Sequence, residues 1–263
     1  MKSVVVTGAN GGMGKTICSL LTRKGYQVYG LDCKQSAGLP CHFILCDLTD
    51  SSSVSQAFKE VQAKTDSLDA IIHTAGIYDL DSLVEIDEER FRRIFEINLF
   101  GAYRINKTFL PLLKKGSRII LTTSELAPLD PLPFTGIYAI TKAALEKYAF
   151  SLRMEVNLLG ISVSVIRPGA VKTGLLGNST RALDSFVQHT QLYPCNAARF
   201  KSIVDSVESK SIAQDVIAQT VWKALTARHP KFVYNKNRNI LLRLLHVLPD
   251  AVQVWIIRGI LLG

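Results

Sequence analysis

Tyr138 and Lys142 stand four residues apart in a stretch of helical pattern, which puts both side chains on one face. A free tyrosine phenol has a pKa of about 10, so acid/base work at neutral pH demands a drop of roughly three units, on the order of 4 kcal/mol. An ammonium held within reach supplies such a drop by favouring the phenolate. The pair alone is a weak signal, because any amphipathic helix can contain one by chance. Ser124 adds weight. It follows the predicted strand Arg118–Thr123 and precedes Tyr138 by 14 residues. Ligands of parallel sheets bind at the carboxyl ends of strands, where a hydroxyl can orient a substrate oxygen. Asn98 falls in the middle of a predicted helix, although asparagine is a poor helix former whose amide competes for backbone bonds. It is either an exposed polar position or a kink whose freed carbonyl holds a water near Lys142.

A second group of residues points to a phosphate. Val4–Thr16 reads Val-Val-Val-Thr-Gly-Ala-Asn-Gly-Gly-Met-Gly-Lys-Thr. Gly8, Gly12 and Gly14 form a spaced glycine turn after a strand, with Asn10 and Met13 inside it, and so a dinucleotide cradle. Ala9–Thr16 also reads A-x-x-x-x-G-K-T, one residue away from the phosphate loop of nucleotide triphosphatases. Both rest on backbone amides that approach an anion at the positive end of a helix. Asp32 closes the second predicted strand, 24 residues after Gly8. A carboxylate there accepts the hydroxyls of an adenosine ribose and repels a 2′-phosphate, which favours NAD(H) over NADP(H); Lys34 softens that preference. Asp47, after the third strand, either bonds an adenine amino group or caps the helix that begins near Ser52. A triphosphatase needs an acidic residue on a later strand to hold Mg²⁺. The strand Asp69–Thr74 ends in His-Thr, and the triphosphatase alternative leaves Ser124, Tyr138 and Lys142 without a role.

The elements that must position these residues alternate. Predicted strands are Ser3–Thr7, Gln27–Asp32, His42–Cys46, Asp69–Thr74, Arg118–Thr123 and Ser162–Ile166, with Lys231–Tyr234 as a last one. Predicted helices are Gly12–Lys24, Ser52–Lys64, one long helix over Asp87–Lys115 interrupted late by Pro111, and Ile137–Leu159. The alternation implies an α/β fold, a parallel sheet with helices on both faces. Gly174–Lys210 is polar and irregular in pattern, and too long for an ordinary connection, so it reads as a substrate lid. A helix restarts at Ser211, with Gln214 completing a capping-box signature. No linker divides residues 1–263 into two domains.

Taken in order, these motifs resemble the short-chain dehydrogenase/reductases. The resemblance rests on Thr7-Gly8-x-x-x-Gly12-x-Gly14, Asp47-Leu48, Ala75-Gly76, Asn98, Ser124, Tyr138-x-x-x-Lys142 and Pro168-Gly169, and spans about residues 3–175. It implies a Rossmann-type doubly wound sheet and hydride transfer between a nicotinamide cofactor and an alcohol or ketone. Tyr138 would be the general acid/base. Lys142 would lower its pKa and bond the nicotinamide ribose. Ser124 would polarise the carbonyl, and Asn98 would anchor a proton-relay water. Pro168-Gly169 would pass beside the nicotinamide, with Thr173 on its carboxamide. One departure stands out: the family's Asn-Asn-Ala-Gly is here His73-Thr74-Ala75-Gly76, which puts a sheet-to-helix tie in question. His73 reads as a packed strand residue. A non-catalytic binder of NAD(P) on the same fold is a further alternative.

The composition bounds the rest. Hydrophobic content of 48% and charged content of 20% over 263 residues describe a globular chain. Lys2 opens the first strand almost at once, which leaves no room for a secretory or transit sequence and makes a cytoplasmic protein the expectation. The five cysteines form no C-x-x-C pair, so reduced packing thiols are expected and no metal site. Net charge is +9, of which residues 228–263 carry +5. Those basic residues are interleaved with Leu, Ile and Trp, which favours a membrane surface or a lipophilic substrate over nucleic acid. The extension 239–263 either caps the pocket and supplies a contact in a homo-oligomer (dimer or tetramer), or lies on a membrane as amphipathic helices. Leu241-Leu242-Arg243-Leu244-Leu245 is similar to the tails of hydroxysteroid and retinol-type members of the family, which implies a lipophilic alcohol or ketone.

Overall fold

A computed structural model describes residues 2–35, 38–172 and 174–262. Seven parallel strands form one sheet: β1 Ser3–Thr7, β2 Gln27–Asp32, β3 His42–Leu45, β4 Leu68–His73, β5 Leu113–Thr122, β6 Ser162–Pro168 and β7 Val233–Lys236. Their order across the sheet is β3-β2-β1-β4-β5-β6-β7. The chain therefore reverses its direction of growth between β1 and β4, and such a switch point opens a crevice at the carboxyl edge. Alternation along β1 sends Val4 and Val6 to one face and Val5 to the other. Val4 and Val6 pack with Ile17 and Leu21 of α1 (Gly12–Arg23) and with Ile217 and Val221 of α8 (Gln214–Thr226). Val5 packs with Val54 and Ala57 of α2 (Ser51–Gln62) and with Ile105 and Phe109 of α4 (Gly101–Phe109). Helix α5 (Gly136–Val156) covers β5 and β6 through Leu145 and Ala149.

Four local expectations are corrected. The long helix over 87–115 is α3 (Glu88–Phe95), a π-helical turn over Glu96–Phe100, α4 and a 3-10 turn, after which β5 already begins at Leu113. Pro111 cannot donate to a helical ladder, and the hydroxyl of Ser117 donates to Leu68 O at 2.7 Å, tying the early part of β5 to β4. The irregular lid is two helices, α6 (Gly174–His189) and α7 (Pro194–Glu208). Leu183 and Phe186, and again Ala197 and Phe200, recur at helical spacing and are buried against Leu80 and Phe134. The capping box at Ser211 does not form: α8 starts at Gln214 with Ala213 at its N-cap. The Gln214 amide instead accepts from the Thr16 hydroxyl at 2.9 Å and donates to Lys172 O. Asp47 does not cap α2 either. Asp50 does, accepting from Ser52 N at 2.9 Å, while Asp47 closes a turn on Thr49 N at 2.8 Å. The carboxyl-terminal segment forms α9 (Ile240–His246) and α10 (Asp250–Leu262).

Candidate active site

Strand ends along the switch point bring the candidate residues together. Ser124 follows β5, Thr74 follows β4, and the glycine turn follows β1. Helix α5 lays Tyr138 and Lys142 alongside, and Pro168-Gly169 closes β6. Ser124, Thr74, Tyr138, Lys142, Pro168 and Gly169, with Met13 beside the glycine turn and with Gly76, Ile77 and Tyr78, line a cavity of about 200 Å³. Its other walls include Phe200, Ile203 and Val204 of α7 and Leu242 of α9, so the extension does cover part of the pocket.

Tyr138 is partly exposed to this cavity, while Ser124 and Lys142 are buried. The Lys142 ammonium donates to Thr122 O at 3.1 Å and lies 5.7 Å from the centre of the Tyr138 ring. Burial pulls the Lys142 pKa down to about 8. Burial likewise pushes the Tyr138 phenol up to about 12, against a hydrogen bond to Ser124 that lowers it and the Glu125 charge that raises it. The sequence implies a phenol lowered by Lys142; in the protein chain alone the opposite holds. The reason is desolvation of the phenol, which outweighs the neighbouring charge of Lys142, itself still an ammonium at neutral pH. The phenol is therefore a proton donor at neutral pH.

Asn98 lies in the π-helical turn, a local break in the helix, and at 2% exposed it is not a solvent-facing polar position. Its amide oxygen accepts from Ile77 N at 2.8 Å, and its nitrogen donates to Ile77 O at 3.0 Å and Thr141 Oγ1 at 3.1 Å. The side chain thus clamps the strand-exit loop that carries Tyr78, whose ring centre is 4.5 Å from that of Tyr138. The departure at His73-Thr74 keeps its ties. His73 Nε2 lies 2.9 Å from Asn106 Oδ1, linking β4 to α4, and burial lowers the His73 pKa to about 4. The Thr74 hydroxyl donates to Thr7 O at 2.7 Å, fastening β4 to the glycine turn.

The chain on the other side of the switch point fits a dinucleotide. Gly8 has φ +69°, and a Cβ on it would stand 2.6 Å from Ala75 N; one on Gly14 would stand 2.0 Å from Gly8 O. Only glycines allow this packing of turn against strand end, which leaves backbone free to meet a pyrophosphate at the start of α1. Asp32 stands at the mouth of the turn. Its carboxylate accepts from Asn10 N at 3.0 Å and Lys34 N at 3.1 Å, bracing the turn and the loop after β2. Asp47 and Leu48 follow β3 on the same edge, and Leu48 O accepts from Arg104 at 3.2 Å. Gly169 N donates to Lys236 O at 2.8 Å, fixing the segment after β6. Thr173 lies outside the described residues. The triphosphatase alternative gains nothing: Lys15 is exposed, and the Thr16 hydroxyl is committed to Gly12 O at 3.0 Å as well as to Gln214.

Sequence reasoning missed Glu125. It is buried in the cavity wall, and its carboxylate accepts from Asn239 N at 2.6 Å, so the strand end that carries Ser124 also anchors the start of α9. Burial raises its pKa. Tyr78 was missed as well, although its place two residues after Ala75-Gly76 marks it as a loop aromatic at a strand exit.

The fold and this constellation define a dinucleotide-dependent oxidoreductase. The chain belongs to the short chain dehydrogenase family, whose pattern matches residues 2–184. It is 27% identical to a 3-ketodihydrosphingosine reductase of Bacteroides thetaiotaomicron, over 87% of this chain and 85% of that protein. It is 28% identical to estradiol 17-beta-dehydrogenase 2 of Mus musculus, over 90% of this chain and 68% of the relative. Among solved structures, a short-chain dehydrogenase from Streptomyces avermitilis matches with a TM-score of 0.77 at 20% identity, over 97% of this chain and 94% of that one, a likeness of fold.

Proposed function

We propose that the protein interconverts a lipophilic ketone and its secondary alcohol, with Ser124, Tyr138 and Lys142 as the catalytic residues and Asn98 as their support. The observation that carries this reading is the convergence of the three at the carboxyl edge of the sheet, in a cavity whose other walls include Ile77, Phe200, Ile203, Val204 and Leu242 beside Thr135 and Glu125. The glycine turn from Gly8 to Gly14 with Asn10 and Met13, Asp32, Asp47, Leu48, Ala75, Gly76, Pro168, Gly169 and Thr173 would hold the cofactor. When bound, its nicotinamide supplies or accepts the hydride. Tyr138 gives the proton to the carbonyl oxygen in reduction and takes it back in oxidation. The hydrogen bond between Ser124 and the phenol holds the two side chains so that both face one substrate oxygen. Lys142 is placed to meet the nicotinamide ribose and to stabilise any negative charge that develops on the phenol.

The carboxylate of Asp32 favours NAD(H) over NADP(H). Both relatives named above act, by their names, on molecules with large apolar skeletons, which agrees with the apolar cavity. The test is a screen of hydrophobic ketones and alcohols with NAD(H) and NADP(H) in parallel. Turnover of at least one such pair, faster with NAD(H), is expected. Turnover confined to small polar substrates would overturn the lipophilic reading, and a strong preference for NADP(H) would overturn the role given to Asp32.

A further inference from the structure

Helices α9 and α10 leave an unusual amount of apolar surface in water. Ile240, Leu241, Leu244 and Val247 are each at least 60% exposed, and Trp255 is 74% exposed. Single exposed apolar residues are ordinary, but a set at the i, i+4, i+7 spacing of 240, 244 and 247 is one continuous stripe. Neither helix can cross a bilayer: α9 has 7 residues and α10 has 13. They can only lie along something.

The charge around them says what. Residues 237–262 carry Arg238, Arg243 and Arg258 against Asp250 alone. Arg238, Arg243 and His246 share a recess of about 300 Å³ with Ile240, Leu244 and Val247. Partial burial and the nearby Arg243 and Arg167 pull the Arg238 pKa below its ordinary value, so cations crowd there. The carboxylates around the recess are engaged: Glu125 holds Asn239 N at 2.6 Å, and Asp130 Oδ2 lies 3.1 Å from His246 Nδ1. A surface that is apolar and basic together suits an interface of acyl chains and anionic headgroups. It suits a second copy of the chain poorly, because a two-fold contact sets the same cationic patch near itself.

We propose that α9 and α10 dock the protein on the surface of an anionic lipid bilayer, with a headgroup phosphate in the Arg238–Arg243 recess and the stripe of Ile240, Leu244 and Val247 in the interface. Leu242, in the middle of α9, faces the catalytic cavity. Docking would therefore bring the α9 wall of the cavity to the membrane, close to where a lipophilic substrate is dissolved; this consequence rests on the function proposed above, whereas the docking does not.

The experiment sediments the full-length protein with vesicles of phosphatidylcholine, with and without phosphatidylserine, in the absence of substrate. Co-sedimentation with the phosphatidylserine vesicles alone is expected, weakening as salt is raised. Arg243→Glu and Trp255→Glu should each cut vesicle affinity, the charge reversal by roughly tenfold. Both variants should keep wild-type turnover of a short, water-soluble ketone, which separates loss of docking from loss of catalysis. Binding to neither vesicle, equal binding to both, or a size measurement showing a dimer that Trp255→Glu splits while vesicles are ignored would each overturn the proposal.

Discussion

Lys142 has no ion pair among the described residues, and desolvation holds its pKa near 8 against 10.5 for a free lysine. That depression is a stability statement. Below about pH 8 the folded chain carries the full cost of a buried ammonium, about 3 kcal/mol. Between about 8 and 10.5 the unfolded chain binds more protons than the folded one, so this contribution to stability rises with pH. Tyr138 acts in the opposite sense. Its pKa is raised from 10 to about 12, so its contribution falls as pH climbs through that window. Lys142→Met should therefore raise the melting temperature below pH 8 and flatten its rise between pH 8 and 10, as thermal unfolding across pH will show; a lower melting temperature at pH 7 would contradict it. At the same scale, Asp32→Ala should improve kcat/KM with NADPH roughly tenfold, about 1.4 kcal/mol, by removing a carboxylate from the proposed ribose site. An unchanged ratio of NADH to NADPH efficiency would remove Asp32 from cofactor choice. That Ser124, Tyr138 and Lys142 share one cavity was legible, because the types and spacing proposed for reaction also fix their places on β5 and α5. Glu125 was not, since nothing in sequence announces that Asn239, 114 residues away, will meet it.

Among elements, the loop after β4 depends on α3 and on the π-helical turn. Arg90 grips Asp79 with two bonds, at 2.9 and 2.6 Å, and also pairs with Asp81. Asn98 holds Ile77 from both sides. Asn98→Ala leaves the half-buried Ile77 amide and carbonyl without these partners, which should cost about 1 kcal/mol in denaturant unfolding. It should also lower kcat with little change in cofactor affinity, through movement of Tyr78 against Tyr138. Wild-type stability would show that water replaces the clamp at no cost. Elements with long apolar periods, β1, β2 and α5, were readable within a few residues. The lid was not. Leu183, Phe186, Ala197 and Phe200 of its helices pack on Leu80, Phe134 and Leu261, which lie far away in sequence, so nothing local reveals the pattern. The start of β5 was hidden for a related reason: Lys114 and Lys115 read as helix, and pairing with β4, Leu113 beside Leu68 and the Ser117 hydroxyl on Leu68 O, makes the segment strand.

At the scale of the whole molecule, the sheet serves as a ruler. Its order puts Asp32, the glycine turn, Thr74, Ser124 and Pro168 side by side at one edge, although they span more than half the chain. The lid and the extension close that edge. Asn196 and Arg199 of α7 donate to Leu261 O of α10 at 2.8 and 3.0 Å, so the last helix holds the lid from outside. Removing residues 238–263 should raise KM for a hydrophobic ketone far more than for a short soluble one, because Leu242 and the lid's support go together. Equal loss on both substrates would mean that the extension stabilises the fold and not the pocket. The claim on which the account turns is that Tyr138 moves the proton. The direct measurement is turnover of a hydrophobic ketone by Tyr138→Phe, with NADH affinity measured on the same protein by fluorescence. The account predicts a fall of about 10²-fold or more in kcat with affinity nearly unchanged. Turnover equal to that of the parent protein would contradict it.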